Sequence, residues 1–209
     1  FHKPILTLYH HPLPHGKLDP LRNFLRKKIY SNQKKLLSLS ASTASSFNDL
    51  INRQITEPIQ WGVDHDFYSR MVHSSETQNS SGIVLTCGRT SRDLTTFSKA
   101  IKAANVKSHV ICPEKEVTRL VETEGLISLD TTNYSTDKKV NTYQKMADLM
   151  YRVRVIAIPL EEQSTLAGLT SLMDCLGFGK PVIMTKNPCI DIDIEAEGIG
   201  KWVDPYDVD

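Results

Sequence analysis

Two short stretches carry side chains that could hold a multiply charged anion. The first, Gly88-Arg89-Thr90-Ser91-Arg92-Asp93, sets two guanidinium groups beside a glycine directly after the apolar run Ile83 to Cys87. The second, Ala167-Gly168-Leu169-Thr170-Ser171, opens a helical pattern some ten residues after the apolar run Arg154 to Pro159. Arginine makes bidentate, charge-assisted bonds to oxyanions, and a helix start supplies unpaired N–H groups and the positive end of the dipole. A diphosphate suits the pair. Asp174 shares a face with Thr170, and one helical turn of about 5.4 Å puts its carboxylate where the ribose hydroxyls of a nucleoside diphosphate would lie. Taken singly, Arg89 and Arg92 read as solvated surface charges and Asp174 as an exposed helix carboxylate. Their joint occurrence at the carboxyl ends of strands in one sheet, where α/β proteins bind ligands, favours the functional reading.

Those strands come from a regular alternation. From Gly82 onward, short apolar runs at Ile83 to Cys87, His109 to Cys112, Leu126 to Leu129, Arg154 to Pro159, Pro181 to Thr185 and Lys201 to Val203 predict strands. Helical patterns intervene at Arg92 to Ala104, Glu114 to Glu122, Asn141 to Tyr151, Gly168 to Phe178 and Asp191 to Ala196. This is the signature of β-α-β units around a parallel sheet. On the fourth helix, Leu169, Leu172, Met173 and Leu176 repeat at i, i+3, i+4, i+7 and should face the core.

A thinner lobe precedes it, with strands expected at Ile5 to Tyr9, Leu36 to Ser40 and Pro58 to Trp61, and helices at Pro20 to Ser31 and Ser45 to Arg53. The polar stretch Ser74 to Gly82 reads as a loop. The division expected is therefore 1–61, a partial amino-terminal α/β domain; 62–82, a linker; and 83–209, a Rossmann-like domain. The two lobes differ in charge: residues 1–60 hold nine Lys and Arg against three acids, the remainder 16 against 21.

With 209 residues the chain can build a substantial core, and 40% hydrophobic content is ordinary for a globular protein. No run approaches the roughly 20 apolar residues of a membrane span. Cys87, Cys112, Cys175 and Cys189 lie 25, 63 and 14 residues apart, without zinc spacing. They read as buried free thiols of a reducing, cytoplasmic compartment, so the sequons at Asn79 and Asn133 read as chance matches. Residues 17–35 carry seven Lys or Arg and one Asp, with Leu21, Phe24, Leu25 and Ile29 at helical spacing. That pattern suits peripheral contact with anionic lipid headgroups; the plainer alternative is a domain helix with a solvated basic face. With two aromatics and no reading motif in the segment, nucleic acid is a poor fit.

The run from Leu149 to Asp193, with VIAIPL, AGLTSLMDCLGFGKPVIMT and its Gly-Lys-Pro-Val-Ile core, resembles the donor-binding domain of GT-B glycosyltransferases, particularly the retaining family 4 group. Gly62-Val63-Asp64, Gly88-Arg89 and the closing GKWVDPYD match that family in order and spacing, over about 150 residues. The implied fold is GT-B-like, two Rossmann-like domains with parallel sheets, the amino-terminal one only partly present in what reads as a fragment of a longer protein.

The resemblance implies transfer of a sugar from a nucleoside-diphosphate-sugar donor to an acceptor hydroxyl, with retention and without a metal or other cofactor. It assigns Arg89 and the Gly168, Leu169 and Thr170 amides to the diphosphate and Asp174 to the ribose. Nucleobase contacts fall between about Asn133 and Tyr143, with no individual residue identified. The acceptor would be a glycan or a lipid-linked molecule, the latter placing the protein at the inner face of a membrane. Two positions depart from the family. Leu94 stands where a lysine is usual, with Arg92 as its substitute, and Leu166 stands where the first of two glutamates is usual. A histidine near the donor sugar is carried over to His10 in preference to His11. A nucleotide-sugar epimerase and a non-catalytic nucleotide-sugar-binding subunit are the competing readings.

Overall fold

The structure, a computed structural model, describes residues 6–13, 17–73, 81–131, 142–161 and 164–208. These divide into two compact units, the first comprising 6–61 with 164–166 and 187–191, the second comprising 62–161 with 167–186 and 192–208.

The first unit contains β1 (Leu8–Tyr9), α1 (Asp19–Tyr30), β2 (Leu36–Ser38), α2 (Ala41–Ile51) and β3 (Thr56–Pro58). The strands form a parallel sheet in the order β1-β2-β3. Its core is small: Leu36, Ala44 and Phe47 are buried, with the rings of Tyr9 and Tyr30 3.8 Å and 5.8 Å from that of Phe47, centroid to centroid. Helix α2 starts four residues earlier than the apolar pattern suggests because Ser40 caps it, its Oγ accepting the Thr43 N–H at 3.2 Å. Strand β3 likewise begins two residues before the expected Pro58. Asn48 fixes that register, Oδ1 accepting the Thr56 N–H at 2.8 Å and Nδ2 donating to the Thr56 carbonyl at 3.0 Å. Of the expected strand Ile5 to Tyr9 only Leu8–Tyr9 is paired, and Ile5 lies outside the described residues.

The second unit contains α3 (His65–His73), β4 (Ser81–Cys87), α4 (Leu94–Ala104), β5 (Ser108–Cys112), a 3-10 helix (Glu114–Arg119), β6 (Ile127–Thr131), α5 (Thr142–Arg152), β7 (Val153–Ile158), α6 (Leu169–Gly177), β8 (Val182–Thr185) and β9 (Gly200–Val203). All six strands run parallel, in the order β6-β5-β4-β7-β8-β9. Counted from β4, this is the doubly wound Rossmann-like order, and the chain reverses direction across the sheet between β4 and β7. The α/β class with two parallel sheets is as expected.

Apolar side chains fill both faces of the larger sheet. Leu94, Phe97 and Ile101 of α4 pack on Val110, Cys112 and Ala157. The alternate strand residues Leu85, Ile156, Ile158 and Met184 point to the opposite face, where Met150 of α5 and Leu169, Leu172 and Met173 of α6 are also buried. The i, i+3 and i+4 positions of α6 are therefore core positions, as their spacing predicts, while Leu176 at i+7, near the end of the helix, is only half-buried.

Three stretches depart from expectation. Residues 62–82, read as a linker, hold α3, whose start is fixed by the Asp64 carboxylate accepting the Phe67 N–H at 3.0 Å. The helix expected over Glu114 to Glu122 is a single 3-10 segment that ends when Leu120 turns extended. The helix expected over Asp191 to Ala196 is a turn. There Asp193 accepts the Glu195 and Ala196 N–H groups at 3.1 Å and 3.2 Å, and Gly198 at φ +67° redirects the chain into β9.

Candidate functional site

The second unit brings the stretches 88–93 and 167–171 to the carboxyl-end side of β4 and β7, the pair of strands that flank the reversal. The loops are stitched together: the Asp93 N–H donates to the Pro159 carbonyl at 3.1 Å and the Glu161 N–H to the Ser91 carbonyl at 3.0 Å. Asp93 then caps α4, its Oδ1 accepting the Thr96 N–H at 2.9 Å, so α4 begins after Arg92 rather than at it. On the β7 side, the Leu160 N–H is held by the Thr185 hydroxyl at 2.9 Å.

The two arginines have different fates. Arg89 is exposed at the rim of a cavity of about 310 Å³. Arg92 turns inward and is 7% exposed. Its Nε donates to the Cys87 carbonyl at 3.1 Å, one Nη to the Thr90 carbonyl at 2.9 Å and the other to the Ser171 hydroxyl at 2.8 Å. Every one of these acceptors is neutral, and among the described residues no carboxylate pairs with Arg92. Burial accordingly holds its pKa below the usual arginine value. Gly88 makes room for it: at φ +134°, a Cβ on residue 88 would lie 2.4 Å from the guanidinium.

Gly168 is the amino-terminal boundary of α6, at φ +87° and without a side-chain cap. The next N–H groups, of Leu169, Thr170 and Ser171, precede the first intrahelical bond from Leu172 to the Gly168 carbonyl at 2.9 Å. Thr170 is exposed, Leu169 belongs to the core and Ser171 carries the Arg92 contact.

Lys115 and Arg119, from the 3-10 helix, also line the cavity, together with Glu116 and Glu161. Arg119 pairs with Glu116 at 3.0 Å and closely with Glu161. Among the described residues that line the cavity, four are cationic and two are carboxylates. The contribution of the 3-10 helix is not readable from sequence, because Lys115 and Arg119 alternate there with acids and look like a solvated helix face.

Asp174 lies one turn into α6 and is not an exposed helix carboxylate: it is 6% exposed. Its Oδ1 accepts the hydroxyls of Tyr68 at 2.6 Å and Tyr143 at 2.9 Å, so a single oxygen ties α3 and α5 to α6. Burial raises the Asp174 pKa while the two hydroxyls act the other way. The Tyr143 phenol is pushed up to about 12, chiefly by burial. Both phenols therefore stay protonated donors at neutral pH. Gly177 and Phe178 seat Tyr68: a Cβ on Gly177 would fall 2.5 Å from its ring, and the Phe178 ring meets it edge-on at 4.9 Å. Phe67 lies beside Tyr143, centroids 6.3 Å apart.

His10 and His11 follow β1 in the first unit. His10 is exposed, whereas His11 Nδ1 accepts the Leu166 N–H at 3.3 Å, and Leu166 itself is buried. The segment expected to meet a nucleobase, Asn133 to Tyr143, is described only from residue 142. Among the described residues no group of three or more His, Cys, Asp or Glu side chains is placed to hold a metal ion, and no helix is long and apolar enough to cross a membrane.

No family model and no curated protein sequence matches the chain. Among solved structures it is similar to a protein described as the glycotransferase of kitacinnamycin, with a TM-score of 0.41 and 12% identity over 88% of this chain. The chain spans about half of that protein, 49% of its length. A likeness of this size assigns no activity. What the chain itself displays is a cluster of basic side chains beside the start of α6, at the reversal point of a Rossmann-like sheet, with the buried carboxylate of Asp174 on the same helix.

Proposed function

We propose that the second unit binds the nucleoside diphosphate part of a nucleotide sugar, and that the whole protein transfers the sugar to an acceptor hydroxyl. The observation that carries this reading is Arg92. A buried guanidinium bonded to neutral oxygens, beside the uncapped start of α6, supports binding of an anion there. A diphosphate laid between Arg89 and the Leu169 and Thr170 N–H groups would lie in the field of Arg92 without displacing it. The ribose would then meet Asp174, whose Oδ1 already accepts the Tyr68 and Tyr143 hydroxyls.

In the transfer, the bond from the anomeric carbon to the diphosphate oxygen breaks and a bond to the acceptor oxygen forms. The arginines and the helix start stabilise the charge gathering on the leaving diphosphate. Its own oxygen takes the proton released by the acceptor hydroxyl, so the charge and atom balance closes without a protein base. Retention of configuration and a glycan or lipid-linked acceptor complete the proposal; His10, on the first unit, is assigned to the sugar side. The buried, apolar Leu166, at the place of a sugar-binding carboxylate in the family resembled, favours one second reading, a subunit that binds nucleotide sugar without turning it over.

Calorimetric titration with UDP, GDP and ADP tests the binding step. Preference for one nucleotide, weakened about tenfold or more by Asp174→Ala, supports it. Absence of binding at millimolar nucleotide overturns it. Transfer or hydrolysis of the matching nucleotide sugar separates an enzyme from a binding subunit.

A further inference from the structure

The first unit contains a helix that presents its apolar side outward. Along α1, Asp19, Asn23, Arg26 and Tyr30 are the half-buried positions, recurring at i, i+4, i+7 and i+11. This is the face that meets the rest of the unit, through the Tyr30 ring against Tyr9 and Phe47 at 5.5 Å and 5.8 Å. The opposite face carries Leu21, Phe24, Leu25 and Ile29, extended by Leu18 just before the helix, and these five side chains are 48–64% exposed. No residue of α1 is buried. An amphipathic helix ordinarily directs such a stripe into the core; here it points away.

Charge decides what covers it. Arg22, Lys27 and Lys28 are exposed on the helix, Lys17 precedes it, and the one acid of the segment, Asp19, sits on the inward face. At 100° per residue, Lys28 falls inside the apolar arc, between Phe24 and Leu21. A protein groove receiving this face would bury the Lys28 ammonium and would need a carboxylate for it. A bilayer surface needs none, because the lysine stem lies along the acyl chains while the ammonium reaches the headgroups.

We infer that α1 is a surface anchor for an anionic lipid membrane, lying in the plane of the interface with Leu21, Phe24, Leu25 and Ile29 in the acyl boundary and Arg22, Lys27 and Lys28 among the headgroup phosphates. The inference is independent of the nucleotide site and would stand if no nucleotide bound.

The test is flotation of the chain with vesicles of phosphatidylcholine alone and of phosphatidylcholine containing about a third phosphatidylglycerol, at low and high salt. Binding to the anionic vesicles is expected, weakened by salt, and lowered about tenfold or more by the pair Lys27→Glu and Lys28→Glu, since each cation near such a surface contributes about fivefold. Phe24→Gln with Leu25→Gln should abolish it while leaving the urea midpoint unchanged, because both side chains are outside the unit's packing. Failure of the parent chain to float with anionic vesicles overturns the inference. So does flotation unaffected by the Phe24 and Leu25 substitutions, or lipid-independent self-association that those substitutions remove, which would make the face a protein interface.

Discussion

The Arg92 guanidinium donates to the Ser171 hydroxyl at 2.8 Å across 79 residues of sequence. This contact fastens the loop after β4 to the first turn of α6 and places a buried charge directly behind the helix start. Its other acceptors are two backbone carbonyls, so the charge is held in geometry without being neutralised.

Pyrophosphate should therefore stabilise the protein through Arg92. A ligand present at 100 times its dissociation constant adds about 2.7 kcal/mol, which thermal unfolding reads as a rise of several degrees. In Arg92→Met the rise should shrink to that of a tenfold or greater weakening of affinity. An equal rise in both proteins would mean that the anion sits elsewhere.

Gly88→Ala should destabilise the second unit. The new Cβ would meet the guanidinium at 2.4 Å, and residue 88 holds φ +134°. Overpacking and backbone strain together predict a loss of about 2–4 kcal/mol, measured as a lower urea midpoint at unchanged slope. Gly179→Ala, with open space around its Cβ and strain alone at φ +62°, should cost about 1 kcal/mol and serves as the comparison.

Tyr68 and Asp174 should be strongly coupled. A double-mutant cycle of Tyr68→Phe and Asp174→Asn is expected to return about 1.5–3 kcal/mol, the range for a hydrogen bond to a charged group. Gly177→Ala drives a Cβ against Tyr68 ring carbons that Tyr68→Phe retains, so it should add its own loss of about 1–3 kcal/mol in either background, read as a lower urea midpoint. An unchanged midpoint would show that the ring has room to move.

Asp130 predicts a specific acid response. Its carboxylate is bound by the Lys145 ammonium at 2.9 Å and by His109 Nε2 at 2.9 Å, tying α5 to β5 and β6. The Lys145 hydrogen bond is the largest influence and holds its pKa below the usual aspartate value; desolvation, next in size, opposes it, and the His109 hydrogen bond and the charges of Lys145 and His109 add to the lowering. A carboxyl with a depressed folded-state pKa contributes stability that is complete above the unfolded value of about 3.9 and is lost as pH falls through the folded value. Stability of the parent chain should therefore drop more steeply below about pH 4 than that of Asp130→Asn, and the two curves should converge in strong acid. Parallel acid limbs would remove Asp130 from the linkage.

Much of the second unit was legible in the sequence because its signals are local. Alternating apolar runs mark β4, β5, β7 and β8 within a residue or two, and the spacing of Leu169, Leu172 and Met173 correctly selects the buried side of α6. Ends governed by a single side chain were harder to place. Ser40, Asp64, Asp93 and Asp193 each cap or turn the chain through one side-chain oxygen, and a polar residue of that type in sequence does not reveal whether it caps a helix or replaces one. The stretch 65–73 was missed for this reason, its aromatic pair Phe67-Tyr68 lying in what otherwise reads as polar linker.

The sequence by itself determined the alternation of strands and helices, the separation of a basic lobe from an acidic one, and the placement of Gly88 and Arg92 just after a strand and of Gly168 at a helix start. All of these depend on residues close together along the chain. Only the tertiary structure decided that Arg92 turns inward while Arg89 turns out, that Asp174 is shared by tyrosines 106 and 31 residues away, and that α1 faces its own unit with Tyr30 and the outside with Phe24. Periodicity fixes which side chains share a face. What that face meets depends on the packing of elements far apart in sequence, where burial, van der Waals contact and the satisfaction of polar groups are settled together.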